Sequence, residues 1–155
     1  MTRFDKARAI ALILPFALMA GALGSQYLGG LYPCEMCHWQ RWPHYAAIAL
    51  AAAAFLPTPF RRTLVLLAAF AIGISGAIGA FHAGVEYHWW QGPTQCSILA
   101  SGGTDTLSQI WNEPLIRCDQ AQWTLFGISL AGFNALFSLA GAALIFSLCL
   151  IPHRR

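Results

Sequence analysis

Apolar residues gather into four long blocks, approximately residues 9–28, 37–56, 63–82 and 123–145. Each block is close to the ~20 residues that cover a ~30 Å hydrocarbon core at ~1.5 Å per residue. The pattern predicts four membrane-crossing helices. A short loop around Tyr32 joins the first two, and Pro57-Thr58-Pro59 ends the second and turns the chain back. A long polar loop from about Glu86 to Gln122 joins the last two. The expected fold is all-α: one integral membrane domain over residues 1–155, a four-helix transmembrane bundle with a short first and a long second outer loop.

Finer patterning fills in the bundle. Gly73, Gly76 and Gly79, with Ser75 and Ala80, form a small-residue face that lets helices approach closely. Asn134, about halfway along the fourth block, suits an interhelical hydrogen bond. His82 and Glu86, four apart, are spaced to face one another. His44, Tyr87, His88, Trp89 and Trp90 read as an interfacial belt. In the long loop, Ser101 to Thr106 is rich in Ser, Gly and Thr. Leu107, Ile110, Trp111 and Leu115 give residues 106–116 the pattern of a short helix lying on the membrane.

Composition agrees. Of 155 residues, 57% are hydrophobic and 10% charged, against about a quarter charged in a soluble domain. A net charge of +3 without a basic cluster gives no footing for nucleic acid. Arg3, Lys6, Arg8, Arg61, Arg62, Arg154 and Arg155, seven of nine basic residues, fall on one face, and the positive-inside rule makes that face cytoplasmic. Glu35, Glu86, Asp105, Glu113 and Asp119 fall on the other. Both termini are expected inside and both polar loops outside. Ala20-Gly21-Ala22 resembles a cleavage site, but apolar character runs on to Leu28, which favours a retained helix.

This orientation sorts the cysteines. Cys34, Cys37, Cys96 and Cys118 fall outside, where disulfides persist, and Cys149 falls near the inner end of the fourth helix as an apolar packing residue. Four outside cysteines allow three connectivities. The simplest pairs Cys34 with Cys37, and Cys96 with Cys118 across 21 residues, although spacing alone does not choose.

The vicinal pair lies in Pro33-Cys34-Glu35-Met36-Cys37-His38-Trp39-Gln40-Arg41. A span starting at Pro43 would be too short, at about 21 Å to Leu56, whereas one starting near Cys37 reaches about 30 Å. The second helix is therefore expected to begin at Cys37 and to kink at Pro43. A cysteine at a helix N-terminus is favoured as thiolate. Arg41, one turn deeper on the same face, adds a permanent charge and a donor for an anionic or carbonyl-bearing ligand. These features fit a redox-active dithiol. Two other readings fit the same string: a membrane-anchored c-type cytochrome using Cys34-x-x-Cys37-His38, and a zinc site drawn from Cys34, Cys37, His38 and His82.

Cys34-Glu35-Met36-Cys37 with Gln40-Arg41, Phe81-His82-Ala83-Gly84-Val85-Glu86, then Cys96 and Cys118, then Trp123-Thr124-Leu125-Phe126-Gly127-Ile128-Ser129-Leu130-Ala131 resemble, in that order, the disulfide bond formation protein B family. The resemblance implies a protein-dithiol:quinone oxidoreductase of the bacterial inner membrane, both termini cytoplasmic and both cysteine pairs periplasmic. It implies a partner, a periplasmic thioredoxin-fold thiol oxidase, whose thiolate attacks Cys96. Cys118 then passes the reduction to Cys34 and Cys37, and Cys37 delivers it to a ubiquinone or menaquinone. Arg41 is implied at the thiolate and the quinone oxygen, and His82 in the quinone site. A long loop suits a protein client, and the membrane boundary suits a lipid-soluble acceptor.

Overall fold

The computed structural model describes residues 2–92, 97–99 and 115–150. Along the chain come α1 (Arg3–Tyr27), α2 (Glu35–Ala53), α3 (Arg61–Glu86), β1 (Ser97–Leu99), β2 (Leu115–Arg117), β3 (Thr124–Leu125), β4 (Ile128–Ser129) and α4 (Leu130–Leu150). Among the described residues, α1, α3 and α4 are long and apolar enough to cross a membrane. The expected fourth crossing, α2, falls short of that criterion because its first half carries Glu35, His38, Gln40, Arg41 and His44. It packs against both α1 and α3 nonetheless.

Local chemistry sets the helix ends, and three of them differ from expectation. Thr2 and Asp5 form a capping box, so α1 begins well before residue 9. Cys34 itself caps α2, its sulfur accepting from the Cys37 N–H at 3.3 Å. The helix thus starts at Glu35, and Cys37 lies in its first turn. The fourth helix starts at Leu130 because residues 124–129 form a tight antiparallel hairpin. Phe126 and Gly127 turn it with φ of 52° and 77°, the left-handed pair a two-residue hairpin demands. The Tyr87 hydroxyl ties this hairpin to α3, donating to the Gly127 carbonyl and accepting from the Ser129 N–H, both at 3.0 Å. Pro43 lies inside α2, and Pro15 inside α1, without ending either helix.

Helix association here rests on close packing, since lipid offers no hydrophobic drive. A Cβ at Gly76 would meet Leu139 Cγ at 2.9 Å, and one at Gly79 would meet the Ala131 carbonyl oxygen at 3.0 Å. The small-residue face of α3 is therefore spent on α4. An alanine-rich core of Ala7, Ala11, Ala47, Ala51, Ala68, Val65, Ile72 and Ile145 closes one half of the bundle. Large residues such as Phe16, Phe70 and Phe137 point outward, as side chains facing lipid do. At the end holding the α1 N-terminus, Arg3 and Arg62 donate to the carbonyls of Ser147 and Cys149 on the last turns of α4. Arg8 lies 4.3 Å over the Phe55 ring. Neighbouring helices therefore run antiparallel, and basic side chains meet carbonyl-rich helix ends.

At the opposite end, β1 and β2 form an antiparallel ladder pairing Ser97 with Arg117. The surface helix expected over residues 106–116 lies mostly outside the described residues, as do Ser101 to Thr106 and Cys96. Where it overlaps them, Leu115 and Ile116 are strand, not helix.

Candidate functional site

The N-terminus of α2 and the C-terminus of α3 meet at the end of the bundle opposite Arg3 and Arg62. Because Cys34 caps α2, its side chain turns back over the first helical turn. Its Sγ comes 2.8 Å from Cys37 Sγ. The two sulfurs are within reach of a bridge. Their surroundings differ. Cys34 is buried with Met36, Val85 and Cys118 in one cluster, whereas Cys37 is half-buried at its margin. The bond to Cys37 and burial together push the Cys34 thiol well above the ordinary thiol range. One sulfur of the reduced pair therefore keeps its proton.

His82 faces the pair from α3, with Nε2 3.6 Å from Cys34 Sγ and 3.7 Å from Glu86 Oε1. Its Nδ1 meets Gln40 Nε2 at 2.8 Å. Gln40 Nε2 also donates to the Met36 carbonyl at 3.2 Å, so the amide nitrogen is the donor toward His82. In the neutral ring Nδ1 accepts, and Nε2 carries the proton toward Cys34 and Glu86. The expected His82–Glu86 pairing is present, and Glu86 Oε2 is buried without a partner among the described residues.

Arg41, expected as a charge and a ligand donor near Cys37, is anchored on α1. It makes no hydrogen bond to Cys37. Its guanidinium donates to Gln26 Oε1 at 2.6 Å and to the Ala22 carbonyl at 3.3 Å, both at the end of α1. The negative end of the α1 dipole and a side-chain amide thus hold the charge, which still lines the same cavity as Cys37.

That cavity has a volume of about 230 Å³ and opens among α1, α2, α4 and the loop before β3. Leu18, Ala22 and Phe133 supply apolar wall, and Arg41, His44 and Glu86 supply polar points. Apolar walls with a few placed polar groups suit a flat, uncharged ring bearing oxygens. Arg41 is the donor among these polar points that a ring oxygen would meet, so the lining fits a quinone.

Three residues matter more than their sequence positions indicated. His44, expected in the interfacial belt, is buried, and its Nε2 lies 2.9 Å from Asn134 Oδ1. Asn134 Nδ2 donates to Gln40 Oε1 at 2.8 Å and to Ser75 Oγ at 3.1 Å, so the expected interhelical bond is part of a network reaching His82. Gln26 anchors Arg41. A polar side chain inside an apolar block was the available signal for His44 and Gln40 and, near the end of the first block, for Gln26.

Of the other expected site residues, Cys118 is buried beside Cys34, and Cys96 lies outside the described residues. Arg117 and Asp119 flank Cys118 with a two-bond ion pair at 2.9 and 2.7 Å, which holds the Asp119 carboxyl below its usual range. Cys149 is a buried packing residue of α4, far along the helix. Cys34, Cys37 and His82 offer three metal-type ligand atoms within 4.8 Å, but His38, the expected fourth, is exposed. A structural zinc site would want four.

The family model described as "Disulfide bond formation protein DsbB" matches residues 5–148. The chain is 29% identical to disulfide bond formation protein B of Polaromonas sp. (strain JS666 / ATCC BAA-500), covering 94% of this chain and 95% of the relative. It is 32% identical to the protein of that name from Verminephrobacter eiseniae (strain EF01-2), over 83% of this chain and 77% of the relative. An uncharacterized protein of Rickettsia prowazekii (strain Madrid E) is 20% identical over 88% of this chain and 83% of its own length. No solved structure matches the chain significantly.

Proposed function

Since the chain belongs to the disulfide bond formation protein B family of membrane oxidoreductases, we propose that it is a protein-dithiol:quinone oxidoreductase reoxidising a periplasmic thioredoxin-fold thiol oxidase. In this reading α2 is the fourth crossing of the bacterial inner membrane. Both termini are cytoplasmic, and all four outer cysteines are periplasmic.

The proposed relay runs through two bridges. The client thiolate attacks Cys96 Sγ, breaking the Cys96–Cys118 bond and releasing Cys118. The client's second thiol then displaces Cys96 and leaves the client oxidised. Cys118 attacks the Cys34–Cys37 bridge at Cys34, releasing Cys37, and Cys96 resolves that intermediate by re-forming its bond to Cys118. Two electrons and two protons now reside on Cys34 and Cys37. A quinone, when bound, supplies the acceptor for both. Arg41 orients and holds negative charge beside Cys37, and the apolar wall excludes water. His82, with its Nε2 proton toward Cys34 and Glu86 behind it, stabilises a sulfur that becomes anionic during exchange.

The single observation that carries this reading is the division of surroundings between the two sulfurs. Both line the cavity that Arg41 also lines, but Cys34 is buried in the cluster that holds Cys118, while Cys37 is the more exposed of the two. Support for the outer bridge comes from the β1–β2 ladder, which pairs Ser97, the residue after Cys96, with Arg117, the residue before Cys118. The cytochrome alternative is disfavoured: His38 is exposed, and the histidine beside the sulfurs is His82.

The test is turnover of a reduced thioredoxin-fold oxidase by the purified membrane protein with ubiquinone or menaquinone. Cys34→Ser, Cys37→Ser, Cys96→Ser and Cys118→Ser are each expected to abolish steady turnover, and Cys149→Ser to leave it intact. Quinone-dependent turnover in Cys34→Ser or Cys37→Ser would overturn the reading.

A further inference from the structure

His44 lies seven residues beyond Cys37, about two helical turns deeper along α2. It is 3% exposed and lines the cavity. Its protonation follows from a hydrogen-bond chain anchored on a backbone carbonyl, which only accepts. Gln40 Nε2 donates to the Met36 carbonyl at 3.2 Å, so Gln40 Oε1 is the acceptor for Asn134 Nδ2 at 2.8 Å. Asn134 Oδ1 must then be the acceptor that faces His44 Nε2 at 2.9 Å. Ser138 Oγ donates to the same oxygen, also at 2.9 Å. His44 Nε2 therefore carries the hydrogen, and the neutral ring presents Nδ1 as a bare lone pair. That Nδ1 is buried and has no partner among the described residues.

A quinone carbonyl cannot satisfy such an atom, because both groups only accept. A ring hydroxyl can. We propose that His44 Nδ1 is the acceptor for a ligand hydroxyl in this cavity, so that the site holds the dihydroxy aromatic, the hydroquinone, more tightly than the quinone. This deepens the functional reading above and rests on it. Selective binding of the reduced form raises the potential of the bound couple, by about 30 mV for each tenfold preference in a two-electron step. His44 would thereby favour electron flow out of Cys34 and Cys37 without touching either sulfur.

The experiment measures equilibrium binding of a short-chain ubiquinone analogue in its quinone and hydroquinone forms, by quenching of Trp123, which lines the cavity. The protein is kept in its disulfide form and under argon, so that neither ligand reacts. The wild type is expected to prefer the hydroquinone by roughly 3- to 10-fold, the worth of one net hydrogen bond. His44→Leu should lose that preference through weaker hydroquinone binding, with quinone affinity held. Ser138→Ala, which removes a neighbouring donor and leaves Nδ1 in place, should keep it. If His44→Leu does not fold, ¹⁵N-histidine spectra of the wild type decide. His44 Nδ1 should be unprotonated without ligand and should shift with hydroquinone but not with quinone. Equal binding of the two forms, an unchanged preference in His44→Leu, or a protonated Nδ1 would overturn the proposal while leaving the thiol oxidase standing. Binding of neither form by the wild type would overturn it together with the quinone reading.

Discussion

Cys34 Sγ and His82 Nε2 lie 3.6 Å apart across the α2–α3 interface, although 48 residues separate them in the chain. Gln40 and Met36 on α2 fix the ring's other nitrogen, so the proton at Nε2 is aimed at the sulfur or at Glu86. In the proposed relay, a buried cysteine with a directed donor serves exchange with a neighbouring sulfur, and its half-buried partner serves contact with a ligand.

The two sulfurs should react unequally with a soluble alkylating agent. In the fully reduced protein at pH 8, iodoacetamide is expected to label Cys37 at least about 10-fold faster than Cys34, because thiolate fraction and access both favour it. The sign follows from the raised Cys34 thiol: it stays protonated until pH passes well beyond the ordinary thiol range, so its labelling should rise only there. Mass spectrometry of timed digests reads this, and equal rates would contradict it.

Arg41 is held by α1 rather than by Cys37, so its position depends on Gln26. Loss of a charged hydrogen bond to a ligand costs about 1.5–3 kcal/mol, or roughly 10- to 100-fold in affinity. Arg41→Ala is expected to raise the apparent KM for quinone by that amount, and Arg41→Lys by less. Gln26→Ala should raise it a few-fold by freeing the guanidinium. Steady-state kinetics at saturating client would show whether KM in Gln26→Ala stays at the wild-type value, which would remove Gln26 from the site.

Gly79 faces Asn134 and the α4 backbone, where an added Cβ would meet Ala131 O and Asn134 Nδ2, each at 3.0 Å. The backbone atom cannot give way cheaply. Gly79→Val should destabilise the bundle by about 1–3 kcal/mol and disturb the Gln40–Asn134 bond. Thermal unfolding in detergent tests the first effect. A melting curve identical to wild type would show that α3 and α4 are less tightly apposed than described.

The Arg117–Asp119 pair is a local latch across Cys118, joining the residues on either side of it. Arg117 holds the Asp119 carboxyl below its usual range, so the latch is fully present above the ordinary aspartate pKa of about 4 and is lost as pH falls through the lowered value. Both side chains are about two-fifths exposed, so the effect on overall stability is small. Hydrogen exchange of residues 115–122 should nevertheless quicken below pH 4 beyond the intrinsic trend, and Arg117→Ala should abolish that extra change. An Arg117→Ala profile superimposable on wild type would count against the latch.

Four helices, three of them long and apolar enough to cross a membrane, and the small-residue face of α3 were readable from the chain, because a hydrocarbon core imposes a length and a polarity on any helix that crosses it. Capping was readable only in part. Cys34 serves as an N-cap in place of the usual Ser, Thr, Asp or Asn, which moved the start of α2 by two residues. The hairpin before α4 depends on Phe126 at positive φ and on the Tyr87 hydroxyl 40 residues away, so an apolar run looked helical from residue 123. What the tertiary structure alone decided is which polar groups meet. Arg41 pairs with Gln26 across helices, and His44 turns inward to Asn134, because their partners lie on other helices. A one-dimensional pattern records that such residues are out of place in a span, while only packing in three dimensions determines whose hydrogen bond each one completes.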